Sequence, residues 1–138
     1  MERPPVCSNV VELLESLACT SRVEHWGVLA GRGSTPSTLV VAPGGVRVVD
    51  ATSLLVFIAP LAASLTLEPV ALVHTHPLGN RPSLLDELVA DAWRLPMLLA
   101  SCGRVSWSDG GPVERLGYAC GIVWLPYNPV YEPLTPGA

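Results

Sequence analysis

Two of the chain's three histidines fall in one short segment, His74-Thr75-His76-Pro77-Leu78-Gly79-Asn80-Arg81-Pro82-Ser83-Leu84-Leu85-Asp86. They follow Pro69 to Val73, a wholly apolar run that reads as a strand buried on both faces. Period-two alternation turns both imidazoles to the same side. Pro77 and Gly79 then turn the chain, Ser83 caps a helix, and Asp86 lies in that helix's first turn. A strand end and a helix start therefore meet, bringing two imidazoles and a carboxylate together. Two nitrogens and one oxygen suit Zn²⁺, and three protein ligands leave the fourth tetrahedral position to water, which marks a catalytic site. Zinc lowers the pKa of such a water to about 7 and so supplies hydroxide at neutral pH.

The water's proton needs a base, and no residue inside the histidine segment is well placed for that. Glu24 opens Glu24-His25-Trp26-Gly27-Val28-Leu29-Ala30-Gly31 and enters an apolar strand, where its carboxylate would be partly desolvated. Spacing alone leaves Glu68 and Glu87 as alternatives. Ser83-x-x-Asp86 is also the pattern of a capping box, which would use the Asp86 side chain for the helix and not for a metal. His25 neighbours Glu24, but alternation turns it to the opposite face, as a structural residue. Cys102 follows a strand end that could approach the site and reads as a buried structural thiol.

Several elements must position these groups. Ser8 is a candidate N-cap for an amphipathic helix ending near Thr20, with Val10, Val11, Leu14, Leu17 and Ala18 on one face. His25 to Ala30 and Thr38 to Ala42 read as a strand pair joined by the loop from Gly31 to Ser37. Pro43-Gly44-Gly45 is a turn, and Val46 to Val49 is an expected third strand. Within Ser53 to Leu67 a strand near Leu55 to Ile58 and a helix from about Pro60 are expected. Ser83 to Arg94 is a second strong helix with Leu85, Leu88, Val89 and Ala92 as its apolar stripe. Met97 to Ala100, Gly103 to Trp107 and Leu116 to Trp124 read as the last strands. The result is a mixed α/β fold in one domain over residues 1–138, with a proline-rich tail from about 126.

Composition narrows the function. Apolar residues make up 49% and charged residues 14%, so the chain folds around a core and is not disordered. A net charge of -4 without any gathering of arginines argues against a nucleic-acid scaffold held by counterion release. The longest uncharged run, Ala51 to Leu67, is shorter than the ~20 residues that span a bilayer, so no membrane partner is expected. The opening Met-Glu-Arg-Pro-Pro lacks an early apolar segment, which predicts no secretory leader and a cytoplasmic protein. Cys7, Cys19, Cys102 and Cys120 show neither a zinc-finger spacing nor a disulfide framework and read as four small buried thiols in a reducing cytosol. The absence of lysine fits the codon bias that scarce Phe, Ile and Asn also suggest; it would also deny a ubiquitin-like modifier its side-chain amine.

His74-Thr75-His76-Pro77 followed by Ser83 and Asp86 resembles the signature of the JAMM/MPN (JAB domain) zinc metallopeptidases, HSHP or HTHP followed by SxxD. Glu24-x-x-Gly27-x-Leu29-x-Gly31 resembles that family's glutamate strand, and the two segments occur in the family's order. One departure is a loop of six residues, where the family has seven, between His76 and Ser83; a loop can absorb a single deletion. The resemblance implies an MPN-like fold, with a central mixed, partly barrel-like sheet flanked by helices. It implies that His74, His76 and Asp86 bind zinc, that Glu24 holds the attacking water and shuttles its proton, and that Ser83 stabilises the oxyanion. It further implies hydrolysis of a peptide or isopeptide bond after the slim C-terminal tail of a ubiquitin-like protein, a tail that could lie along an edge strand. A sulfur-carrier protein or a phage structural protein is an alternative substrate, and a metal-free interaction module is an alternative role. A zinc deaminase is a third alternative that ranks low, because neither H-x-E nor P-C-x-x-C occurs.

Overall fold

The computed structural model describes residues 3–43, 63–64, 66–77 and 90–125. The chain enters through β1 (Val6–Cys7) directly into α1 (Ser8–Thr20). Val10, Val11, Leu14 and Ala18 are its buried face, as their three- and four-residue spacing requires. The helix begins one residue earlier than its expected cap: Cys7 takes the cap position, and Ser8 is the first helical residue. The Ser8 hydroxyl donates to the Leu116 carbonyl at 3.0 Å, a tertiary contact that competes with capping.

A hairpin follows, β2 (His25–Arg32) and β3 (Thr35–Pro43), longer on both arms than the apolar runs alone suggest. The turn is confined to Gly33 and Ser34, and Gly33 takes a φ of 61° that glycine adopts without a Cβ clash. The strands extend because the register slips at Gly31, where a Cβ would overlap the Thr35 carbonyl oxygen. β4 (Glu68–Thr75) then pairs antiparallel with β2 and parallel with β5 (Met97–Ser101). β6 (Arg104–Trp107) returns antiparallel to β5 through a tight turn at Gly103. The last expected strand divides in two: β7 (Arg115–Leu116) pairs with β1, and β8 (Gly121–Trp124) adds parallel to β3.

The main sheet thus has the order β6-β5-β4-β2-β3-β8 and mixes parallel with antiparallel pairs. It is open: β6 and β8 stand at its two edges and do not pair, so the described sheet is not a closed barrel. Alternate side chains feed two cores. Leu29, Leu39, Val41, Ala71, Val73 and Leu98 pack on the α1 face. Trp26, Val28, Val40, Leu72, Met97 and Leu99 pack on the other, together with Ala90 and Trp93. Burying each such side chain contributes about 1.5–3 kcal/mol. β4 lies between β2 and β5, and its residues from Val70 to Thr75 are buried, as its continuous apolar sequence requires.

Of the helix expected over Ser83 to Arg94, residues 90–93 are described and are helical. It ends on Arg94, whose φ of 54° lets the Leu95 amide donate back to the Ala90 carbonyl at 3.3 Å. The strands expected at Val46 to Val49 and Leu55 to Ile58, the helical turn expected to carry Ser83 and Asp86, and the tail from 126 lie outside the described residues.

The cysteine reading is corrected. Cys7 pairs with Cys120 and Cys19 with Cys102, with Cα separations of 5.8 and 4.4 Å, so the chain holds two disulfides. Their partners are 113 and 83 residues apart, a distance over which only the tertiary fold specifies neighbours. Nor are all four buried: Cys7 and Cys120 are, whereas Cys19 and Cys102 are exposed. Among the described residues no helix is long and apolar enough to cross a membrane.

Candidate metal centre

The carboxyl ends of the parallel neighbours β4 and β5 lie beside the start of β2, and the candidate site stands at this end of the sheet. Register does the first part of the positioning. Trp26 sits directly opposite His74, so Glu24, two residues before Trp26, falls beside the end of β4 on the same face as both. His76 lies one residue past β4, yet its amide donates to the Ala100 carbonyl at 2.7 Å and continues the pairing with β5. Both imidazoles therefore stand on backbone that is hydrogen-bonded within the sheet.

The resulting geometry is close. His74 Nδ1 and His76 Nε2 are 3.2 Å apart, and the two rings are edge-to-face at 72°. His74 Nε2 is 3.6 Å from Glu24 Oε2. One candidate ligand atom from each of Glu24, His74 and His76 lies within 4.8 Å of the others. His74 is buried, whereas the Glu24 and His76 side chains are half-buried and open the cluster on one side.

These groups fit a zinc ion. Two nitrogens bound at 2.0–2.1 Å in a tetrahedron stand about 3.3 Å apart, close to the 3.2 Å observed between the rings. Glu24 Oε2 is buried and, among the described residues, accepts no hydrogen bond, which leaves this acceptor open to a water or ligand at the site. Paired imidazoles are ligands that zinc favours, and the Glu24 carboxylate beside them would serve as the base for a water at the site.

Three neighbours hold this arrangement. The Trp26 ring stacks on His74 with centroids 3.7 Å apart and planes 20° from parallel, fixing the imidazole's orientation. The Thr75 hydroxyl faces the other side of the sheet and accepts the His25 amide at 2.8 Å, tying the start of β2 to the end of β4. His25 is buried on that same side, edge-on to Trp124 at 6.2 Å. Burial pushes its pKa below the usual imidazole range, and the Nδ1–H donated to the Val23 carbonyl at 3.1 Å opposes this in part.

Of the five expected site residues, the structure brings Glu24, His74 and His76 together, and Ser83 and Asp86 lie outside the described residues. Glu68 is set aside by position, because it begins β4, seven strand residues or roughly 23 Å from Thr75. Glu87 also lies outside the described residues. Cys102 belongs to a disulfide and is neither free nor buried. Trp26 and Thr75 were not singled out from sequence. Alternation from Glu24 puts Trp26 on the site face, a signal that could have been read; the role of Thr75 required the pairing register. Comparison with protein-family models and with curated proteins finds no match to this chain.

Proposed function

We propose that this protein is a zinc-dependent peptidase or isopeptidase of the JAMM/MPN type. The observation that carries the reading is the convergence of Glu24, at the entry to β2 and fifty residues earlier, on His74 and His76, in the order of that family's motif. His74 and His76 would hold the ion, with Asp86 as the third ligand by resemblance. Zinc, when bound, polarises the scissile carbonyl and acidifies a water. The Glu24 carboxylate takes that water's proton and passes it to the leaving amine, a general acid–base role. Ser83, by the same resemblance, donates to the developing oxyanion. The Trp26 ring and Thr75 hydroxyl hold the geometry on which these steps depend.

The substrate proposed is the extended C-terminal tail of a ubiquitin-like or sulfur-carrier protein, cleaved at a peptide or isopeptide bond. Disulfides persist in oxidising compartments and in the cytosol of some hyperthermophiles. The two found here favour such a setting over the ordinary reducing cytosol expected for free thiols.

The test pairs zinc content with turnover of a ubiquitin-like protein carrying a C-terminal extension. The parent should purify with one zinc and cleave. Glu24→Gln should keep zinc and lose cleavage, and His76→Ala should lose both. A parent that binds no zinc when supplied with it would instead support the metal-free interaction module.

A further inference from the structure

We propose that the Cys19–Cys102 disulfide is a reducible positioning staple for Glu24. The two disulfides bracket α1, one at each end, but the ends are held differently. At the first turn, the Cys7–Cys120 bond is backed by β1–β7 pairing, by the Ser8 hydroxyl on the Leu116 carbonyl, and by two hydrogen bonds between the Asn9 amide and the Cys120 backbone, at 2.8 and 3.0 Å. At the last turn, the hydrogen bonds found among the described residues are local. Ser21 donates its amide to Leu17, Thr20 its hydroxyl to Ser16, and Ser21 and Val23 bond each other. The covalent tie to another element at that end is Cys19–Cys102.

That tie joins two parts of the candidate site. Cys19 lies five residues before Glu24, and Cys102 lies two residues after Ala100, whose carbonyl holds the His76 amide. The bond therefore links the arm that carries the carboxylate to the strand end that anchors an imidazole. It is also the accessible one: Cys19 and Cys102 are exposed, whereas Cys7 and Cys120 are 0% and 5% exposed. Exchange requires a thiolate to reach a disulfide sulfur, so a dithiol attacks the outer bond first. The step is complete in itself: the dithiol gives two electrons and two protons, Cys19 and Cys102 become thiols, and the dithiol closes to its own disulfide. Residues 20–24 then keep only their β2 end fixed, at His25, and the Glu24 carboxylate leaves its position beside His74 for part of the time.

The effect on catalysis rests on the role given to Glu24 above; the effect on the arm does not. Both are read on the full chain, with Cys19→Ser/Cys102→Ser and Cys7→Ser/Cys120→Ser compared by amide hydrogen exchange. The loops closed by the two bonds are of similar length, so the unfolded chain is constrained to a similar degree by each. In Cys19→Ser/Cys102→Ser, amides of residues 21–24 should exchange at least about tenfold faster while those of β2 and β4 stay protected. Zinc should be retained, and kcat/KM should fall by up to about 10²-fold. Cys7→Ser/Cys120→Ser should leave the arm's exchange unchanged. Graded dithiothreitol on the native chain, with alkylation to identify the opened bond, gives the same comparison without substitution. Unchanged exchange over 21–24 once the outer bond is open, or a uniform rise across the whole sheet, would overturn the proposal. If the parent binds no zinc, the functional reading fails, and the exchange comparison still decides whether the staple exists.

Discussion

The hydroxyl of Thr75 accepts the backbone N–H of His25 at 2.8 Å, joining residues fifty positions apart on the face of the sheet away from the candidate site. Thr75 lies between the two site histidines, and His25 adjoins the site carboxylate. One buried hydrogen bond thus holds the β2 end of the arm that carries Glu24 against the strand end that carries the imidazoles. Thr75→Val keeps the shape and removes the acceptor, leaving a buried amide unsatisfied at a cost of about 1–3 kcal/mol. Denaturant unfolding should show that loss, and Thr75→Ser should restore most of it. Equal stability of the valine variant and the parent would contradict this account.

Trp26 should matter more than its distance from any reacting atom suggests. It is buried and stacked on His74, so Trp26→Ala removes both core volume and the support of the ring, costing about 3–5 kcal/mol. Trp26→Phe keeps an aromatic face and should retain most of the zinc affinity that the alanine variant loses. Zinc titration of the two variants checks this; equal affinity in both would deny the stack a role.

Gly27 has a steric reason to be glycine. A Cβ there would overlap the Val40 carbonyl oxygen and sit 3.0 Å from a Val73 methyl. Both neighbours belong to the strands that flank β2, so they cannot move without loosening the sheet beside the site. Gly27→Ala should destabilise by roughly 1–3 kcal/mol or more, as overpacking does. A thermal midpoint unchanged from the parent would show that the sheet has slack there.

His25 links stability to pH. Its ring is buried, which holds its pKa below the usual value in the folded chain, while the unfolded ring titrates near 6.5. Between the lowered value and about 6.5 the unfolded state binds more protons, so stability rises with pH across that window and falls as pH drops through it. The denaturation midpoint of the parent should fall more steeply than that of His25→Gln as pH drops below about 6.5. Parallel curves for the two proteins would remove His25 as the source.

From sequence alone the local elements were legible, because they depend on period and on residue type. α1 was written in the spacing of Val10, Val11, Leu14 and Ala18, and β4 in its unbroken apolar run. The shared side of His74 and His76 followed from alternation, and their approach to 3.2 Å agrees with it. The mixed α/β character was also readable, from strands alternating with helical spacing. Strand pairing was not, since a sequence does not state which edge meets which. Only the tertiary structure placed β2 against β4, which chose Glu24 over Glu68 as the carboxylate beside the histidines. It also split the last strand between two sheets, because β1 and β3 offered separate edges to Leu116 and Gly121. The disulfides are the clearest case. Four scattered cysteines look alike along the chain, and they become two pairs, one buried and one exposed, only when α1 lies across the sheet and its ends meet Cys120 and Cys102.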